Sequence, residues 1–114
     1  MKRMKPRKIA DPEVSRFVRE KLDAIKREYS PSRLIVFGSR AVGSPREESD
    51  IDVIVVSEQF RGVRYPIRMG QFLIRIRPHV HVDALCYTPE EFDEMLKRQS
   101  PFVRMAVATG IHIV

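Results

Sequence analysis

The chain has 114 residues, 43% of them apolar and 32% charged, which excludes global disorder and allows one buried core. No apolar run approaches the ~20 residues of a membrane span, no signal-peptide stretch opens the sequence, and the lone Cys86 excludes an internal disulfide and any Cys-rich metal knuckle. A formal charge of +6 favours an anionic partner, and a cytoplasmic location with no membrane contact is expected.

Residues 1–10 read as a basic flexible tail, carrying Lys2, Arg3, Lys5, Arg7 and Lys8 with no acid, and 11–114 as a single domain. Asp11, Pro12 and Glu13 form a helix start: N-cap, Pro at the first helical position, acid in the first turn. Val14, Phe17, Val18, Leu22 and Ile25 then recur at helical spacing, so a helix is predicted over 12–28, ended by Ser30-Pro31. Leu34 to Phe37 is a short apolar run that suits a buried strand. Gly38-Ser39 breaks it, and Gly43, Ser44 and Pro45 mark a loop.

Ile51 to Val56 is a second β-branched strand. A helix is predicted over 66–76, with Ile67, Phe72, Leu73 and Ile76 as its apolar side, and a third strand over 79–87. The arginines at 61, 64, 68, 75 and 77 form an acid-free stretch and read as a polar helix face. Thr88, Pro89, Glu90 and Glu91 spell a capping box opening a helix with Phe92, Met95 and Leu96. A last short helix begins near Pro101 and stops at Gly110, before a terminal strand or tail at Ile111 to Val114. The fold class is α/β (α+β): a small mixed sheet with helices packed on it.

The chemistry concentrates between the first two strands. A Gly directly after a buried strand lets the backbone turn and leaves its amide open to an anion. Ser39 adds a hydroxyl, and a helix starting there adds free N–H groups, so Gly38 and Ser39 suit a phosphate chain. Asp50 and Asp52 stand two apart at a strand start, so both carboxylates point to one face while Ile51 and Val53 point to the core. Two adjacent carboxylates repel, and a divalent cation removes the conflict; hard oxygen ligands select Mg²⁺ or Mn²⁺. Asp83 is the only acid between Glu58 and Glu90, and a neighbouring strand would bring it beside the pair. Three carboxylates around two metals suit in-line phosphoryl or nucleotidyl transfer, with the third acid taking the proton of the attacking hydroxyl. His79 and His81 share the parity of Asp83 and read as strand-face residues; Cys86 has the opposite parity and reads as a buried filler.

Gly38-Ser39, ten intervening residues and Asp50-Ile51-Asp52 resemble the signature of the DNA polymerase beta-like nucleotidyltransferases. The longer string Phe37-Gly38-Ser39-Arg40-Ala41, Gly43 and Ser49-Asp50-Ile51-Asp52 resembles the minimal nucleotidyltransferase (MNT) branch. The resemblance implies a mixed sheet with helices and a site dependent on Mg²⁺ and a nucleoside triphosphate, ATP being expected. It implies that Gly38, Ser39 and Arg40 bind the nucleotide, that Asp50 and Asp52 bind both metal ions, and that Asp83 binds one and assists deprotonation of the acceptor. One position departs: many members carry a second Arg where this chain has Val42, a loss that Arg40 or Arg46 would have to cover.

The 114 residues are used up by the catalytic domain, so the acceptor is expected on a separate protein. The resemblance implies a helical HEPN protein as partner in a toxin–antitoxin pair, neutralised by transfer of AMP to a hydroxyl or by binding alone. The binding-only alternative makes the chain a non-catalytic antitoxin or assembly subunit. Nucleic acid is not expected as a partner, since only net charge speaks for it.

Overall fold

The computed structural model describes residues 9–43 and 50–114. The basic residues 1–8, the loop residues Ser44 and Pro45, and Arg46 and Ser49 lie outside that range.

Helix α1 (Pro12–Tyr29) starts as its sequence dictates: the Asp11 carboxylate accepts from the backbone N–H groups of Glu13 and Val14 at 2.9 and 3.1 Å. It ends at Ser30, which turns into the left-handed region. Strand β1 (Arg33–Phe37) leads to one turn of helix, α2 (Ser39–Val42), and strand β2 (Ile51–Val56) follows. A short 3₁₀ turn at Glu58–Phe60 precedes α3 (Tyr65–Ile76). Strand β3 (Val82–Tyr87) then leads into α4 (Pro89–Lys97), α5 (Pro101–Thr109) and the two-residue β4 (Ile111–His112). The Thr88–Glu91 capping box is formed in both directions.

The sheet runs β3-β2-β1-β4, with β1 antiparallel to β2 and β4, and β2 parallel to β3. Parallel neighbours need a crossover, and α3 supplies it. Strand alternation divides the core. Leu34, Val36, Ile51, Val53, Val55, Ala84 and Cys86 share a cluster with residues of α1 and α3, while Ile35, Phe37, Ile54 and Val56 share one with residues of α4 and α5. Both faces of β1 and β2 are therefore covered over most of their length, which accounts for the apolar runs over residues 34–37 and 53–56.

Two expectations need correction. The third strand begins at Val82, so His79 and His81 precede it rather than lie on its face. His79 Nε2 instead meets Glu13 Oε2 of α1 at 3.0 Å, and its Nδ1 stands 3.6 Å from Glu20 Oε1. The arginine stretch is not wholly a solvated face: Arg68 is buried against the sheet, and Ile67, assigned to the apolar side, is 46% exposed. A guanidinium tolerates that position because it is satisfied there. It donates to the carbonyls of Val63 and Cys86 at 2.8 and 3.1 Å and to both oxygens of Glu91 at 2.6 and 3.3 Å.

Candidate active site

The site forms where β1 ends and where β2 and β3 begin. Phe37 pairs with Asp52, and Asp52 pairs with Asp83 across the parallel ladder. Residues in register on adjacent strands are about 5 Å apart, so the two carboxylates are neighbours. Asp52 shares parity with Ile54 and Val56, and Asp83 with Leu85 and Tyr87, so both side chains leave the sheet on the α4–α5 side. Those helices cover Ile54 and Val56 further along the strands, whereas Asp83 is exposed and Asp52 half-buried. Asp50 stands exposed just before β2.

Electrostatics ties the three together. Burial raises the pKa of the Asp52 carboxyl above its ordinary value, and the charges of Asp83 and then Asp50 push it further the same way. Among the described residues no ion pair reaches Asp50, Asp52 or Asp83.

Gly38 closes the site from β1. It has φ 81° and ψ −160°, a region essentially restricted to glycine. A Cβ placed there would stand 2.5 Å from Asp52 Oδ2, so the absent side chain is what leaves the carboxylate open. The Gly38 carbonyl then accepts from the N–H groups of Ala41 and Val42 at 3.0 and 3.2 Å, which turns the chain into α2 and sets Ser39 at its start.

Arg40 is placed differently from its neighbours. Its side chain is 9% exposed, and Nη1 contacts Asp11 Oδ1 and Oδ2 at 3.2 and 3.0 Å, joining α2 to the start of α1. Sequence reasoning took Asp11 for a cap alone. The signal for its second role is a carboxylate at a buried helix start, which needs a cation, and that cation is 29 residues away in sequence. Val42, where the resemblance expects a second Arg, is exposed.

A cleft of about 170 Å³ lies between the start of α3 and β3 and reaches Asp83. It is lined by Tyr65, Pro66 and Met69 of α3 and by Asp83 to Cys86 of β3. Nothing in the sequence placed Tyr65 there; it reaches the β3 edge from the start of α3 and its ring lies 5.7 Å from that of Tyr87. Burial pushes the Cys86 thiol pKa up to about 12, which disfavours the reactive thiolate.

The donor set suits a hard divalent cation by its oxygen chemistry and by the space that Gly38 leaves at Asp52. As they stand, no group of three or more His, Cys, Asp or Glu side chains among the described residues is placed to hold a metal ion together.

A glycine thus stands against a strand carboxylate, with a second carboxylate in register beside it. A family profile described as a nucleotidyltransferase domain matches residues 18–108. The chain belongs to the nucleotidyltransferase domain family. The matched span contains Gly38, Ser39, Asp50, Asp52 and Asp83, and membership makes nucleotidyl transfer the general activity and a transferase the general class. A crystal structure of a Sulfolobus solfataricus protein described as a "putative nucleotidyltransferase" shares the fold, with a TM-score of 0.56 and 24% identity over 81% of this chain and 85% of that one. The mixed α+β class expected from sequence is thus the class found. Comparison with curated proteins gave no match. No helix among the described residues is long and apolar enough to cross a membrane.

Proposed function

We propose that this nucleotidyltransferase is Mg²⁺-dependent and transfers AMP from ATP to a hydroxyl of a partner protein. The observation that carries the reading is the pairing of Asp52 with Asp83 on one sheet face, against a glycine whose missing side chain leaves Asp52 accessible.

Gly38 and Ser39 hold the triphosphate by backbone amides and a hydroxyl. Asp50, Asp52 and Asp83 would hold two Mg²⁺ ions, or Mn²⁺, which when bound neutralise charge on the phosphates and on the attacking oxygen. Asp83 faces the cleft, so an acceptor hydroxyl lying there gives its proton to that carboxylate. The acceptor oxygen forms a bond to the α-phosphorus, the bond to the bridging α–β oxygen breaks, and pyrophosphate leaves. Because the cleft wall is largely apolar, with Tyr65, Met69 and Leu85, it favours a protein side chain over a sugar or a phosphate-rich acceptor.

The resemblance of Phe37 to Asp52 to the MNT branch supports a helical HEPN protein as that partner and an antitoxin role for this chain, in the cytoplasm. The binding-only reading has its own support: Ile67, Met69 and Ile74 of α3 are exposed, Ile74 by 70%, and Val42 replaces a cation.

The test is label transfer with ATP labelled at the α-phosphate, Mg²⁺ and host extract. The expected result is a labelled protein band that disappears with Asp52→Asn and with omission of Mg²⁺. Transfer that persists in Asp50→Asn and Asp52→Asn would refute the assignment. Neutralisation of a co-purifying partner by the doubly substituted protein would establish binding alone as sufficient.

A further inference from the structure

The geometry points to Asp11 as a positioning residue for the nucleotide loop, acting through Arg40; the inference rests on the nucleotidyl reading above. A helix of four residues such as α2 has no stability of its own, so its place is set by what it touches. Arg40 contacts Asp11 through an ion pair, with both side chains less than one-tenth exposed. Asp11 is itself immobilised, since its Oδ1 caps an 18-residue helix whose apolar side is built into the core. The chain of contacts therefore runs from the core through α1, Asp11 and Arg40 to Ser39, the preceding residue in sequence, and to Gly38 against Asp52. A buried ion pair adds little net stability but fixes a geometry, and here the geometry is that of the turn carrying the phosphate contacts. In this arrangement Arg40 shapes the loop rather than gripping the triphosphate.

Two substitutions separate this role from others. Asp11→Asn keeps a good N-cap and removes only the charge; Asp11→Ser, also a good N-cap, is its independent companion. Glu91→Gln is the matched control, because it removes the charge facing the buried Arg68 while leaving a residue that still completes the capping box. Binding of Mg·ATP is measured by titration calorimetry, and label transfer at saturating ATP is followed in parallel. The expected result is binding weakened about tenfold in both Asp11 variants, on the scale carried by residues that orient ligand-holding groups. Binding in Glu91→Gln and transfer at saturation are expected to stay within about twofold of the parent. Unchanged Mg·ATP binding in the Asp11 variants overturns the inference alone and returns Arg40 to a direct contact. Equal weakening by Glu91→Gln shows general loosening and also overturns it. No binding by the unaltered protein overturns both the inference and the reading beneath it.

Discussion

The two ends of the β2–β3 pair treat their acids in opposite ways. Where the strands end, Glu58, Glu90 and Glu91 meet Arg61 and Arg68. The hydrogen bond from Arg68 holds the Glu91 carboxyl below its ordinary pKa, helped by the Thr88 amide. Where the strands begin, Asp50, Asp52 and Asp83 stand together with no ion pair among the described residues, and Asp52 is pushed the other way. The first end is built for stability; the second gathers like charge with no partner cation among the described residues, an arrangement that costs stability.

Arg68→Ala should produce the largest effect on this contrast. It removes the buried guanidinium and leaves the Val63 and Cys86 carbonyls without their donor, at a cost of about 3 kcal/mol in chemical denaturation. Mg·ATP binding by the folded fraction should not change, because the loss falls at the far end of the strands. Gly38→Ala comes next. Its φ is unsuited to a side chain, and the new Cβ would strike Asp52 Oδ2. A loss of about 1–3 kcal/mol is expected, together with a fall of about a hundredfold in label transfer. An active Gly38→Ala protein would mean that Asp52 is not the carboxylate that matters.

Asp52→Asn should raise the melting temperature by a few degrees at neutral pH. The folded pKa of Asp52 is raised, so its favourable contribution exists below its unfolded value of 3.8 and is lost as pH rises through the folded value. Removing the charge therefore helps at pH 7, and the gain should vanish as pH falls toward 4. Added Mg²⁺ should stabilise the unaltered protein and leave Asp52→Asn unmoved, and removing it with a chelator should reverse the shift. Glu91→Gln should show the smallest effect and the opposite sign. Its lowered pKa contributes stability present above the ordinary value of 4.5 and lost as pH falls through the folded value. Because Glu91 is 42% exposed, solvent screening should keep the loss at pH 7 under about 1 kcal/mol. Melting curves between pH 3 and 7 would resolve both signs.

Much of this was legible in the sequence because it depends on local rules. Caps at Asp11 and Thr88, prolines at first helical positions and β-branched runs fixed the order of elements and most of their bounds. The alternation of Asp52 with Ile51 and Val53 placed that carboxylate on the opposite face from one side of the core before any fold was known. Periodicity gave the wrong outward residue in α3, because a buried Arg with a bidentate partner cannot be told from a solvated one by pattern alone. The start of β3 was misplaced for a related reason: His79 is drawn to Glu13 and Glu20, which belong to a helix far away in sequence.

Sequence alone therefore determined the elements, the carboxylates and the glycine turn, since each follows from contacts within a few residues. Only the tertiary structure decided which acids meet which cations. Arg40 reaches Asp11 across 29 residues and Arg68 reaches Glu91 across 23, while Asp52 and Asp83, in register across 31, find each other and, among the described residues, no Arg. Such pairings depend on how strands and helices dock in space, and charge at long separation along a chain carries no periodic signal.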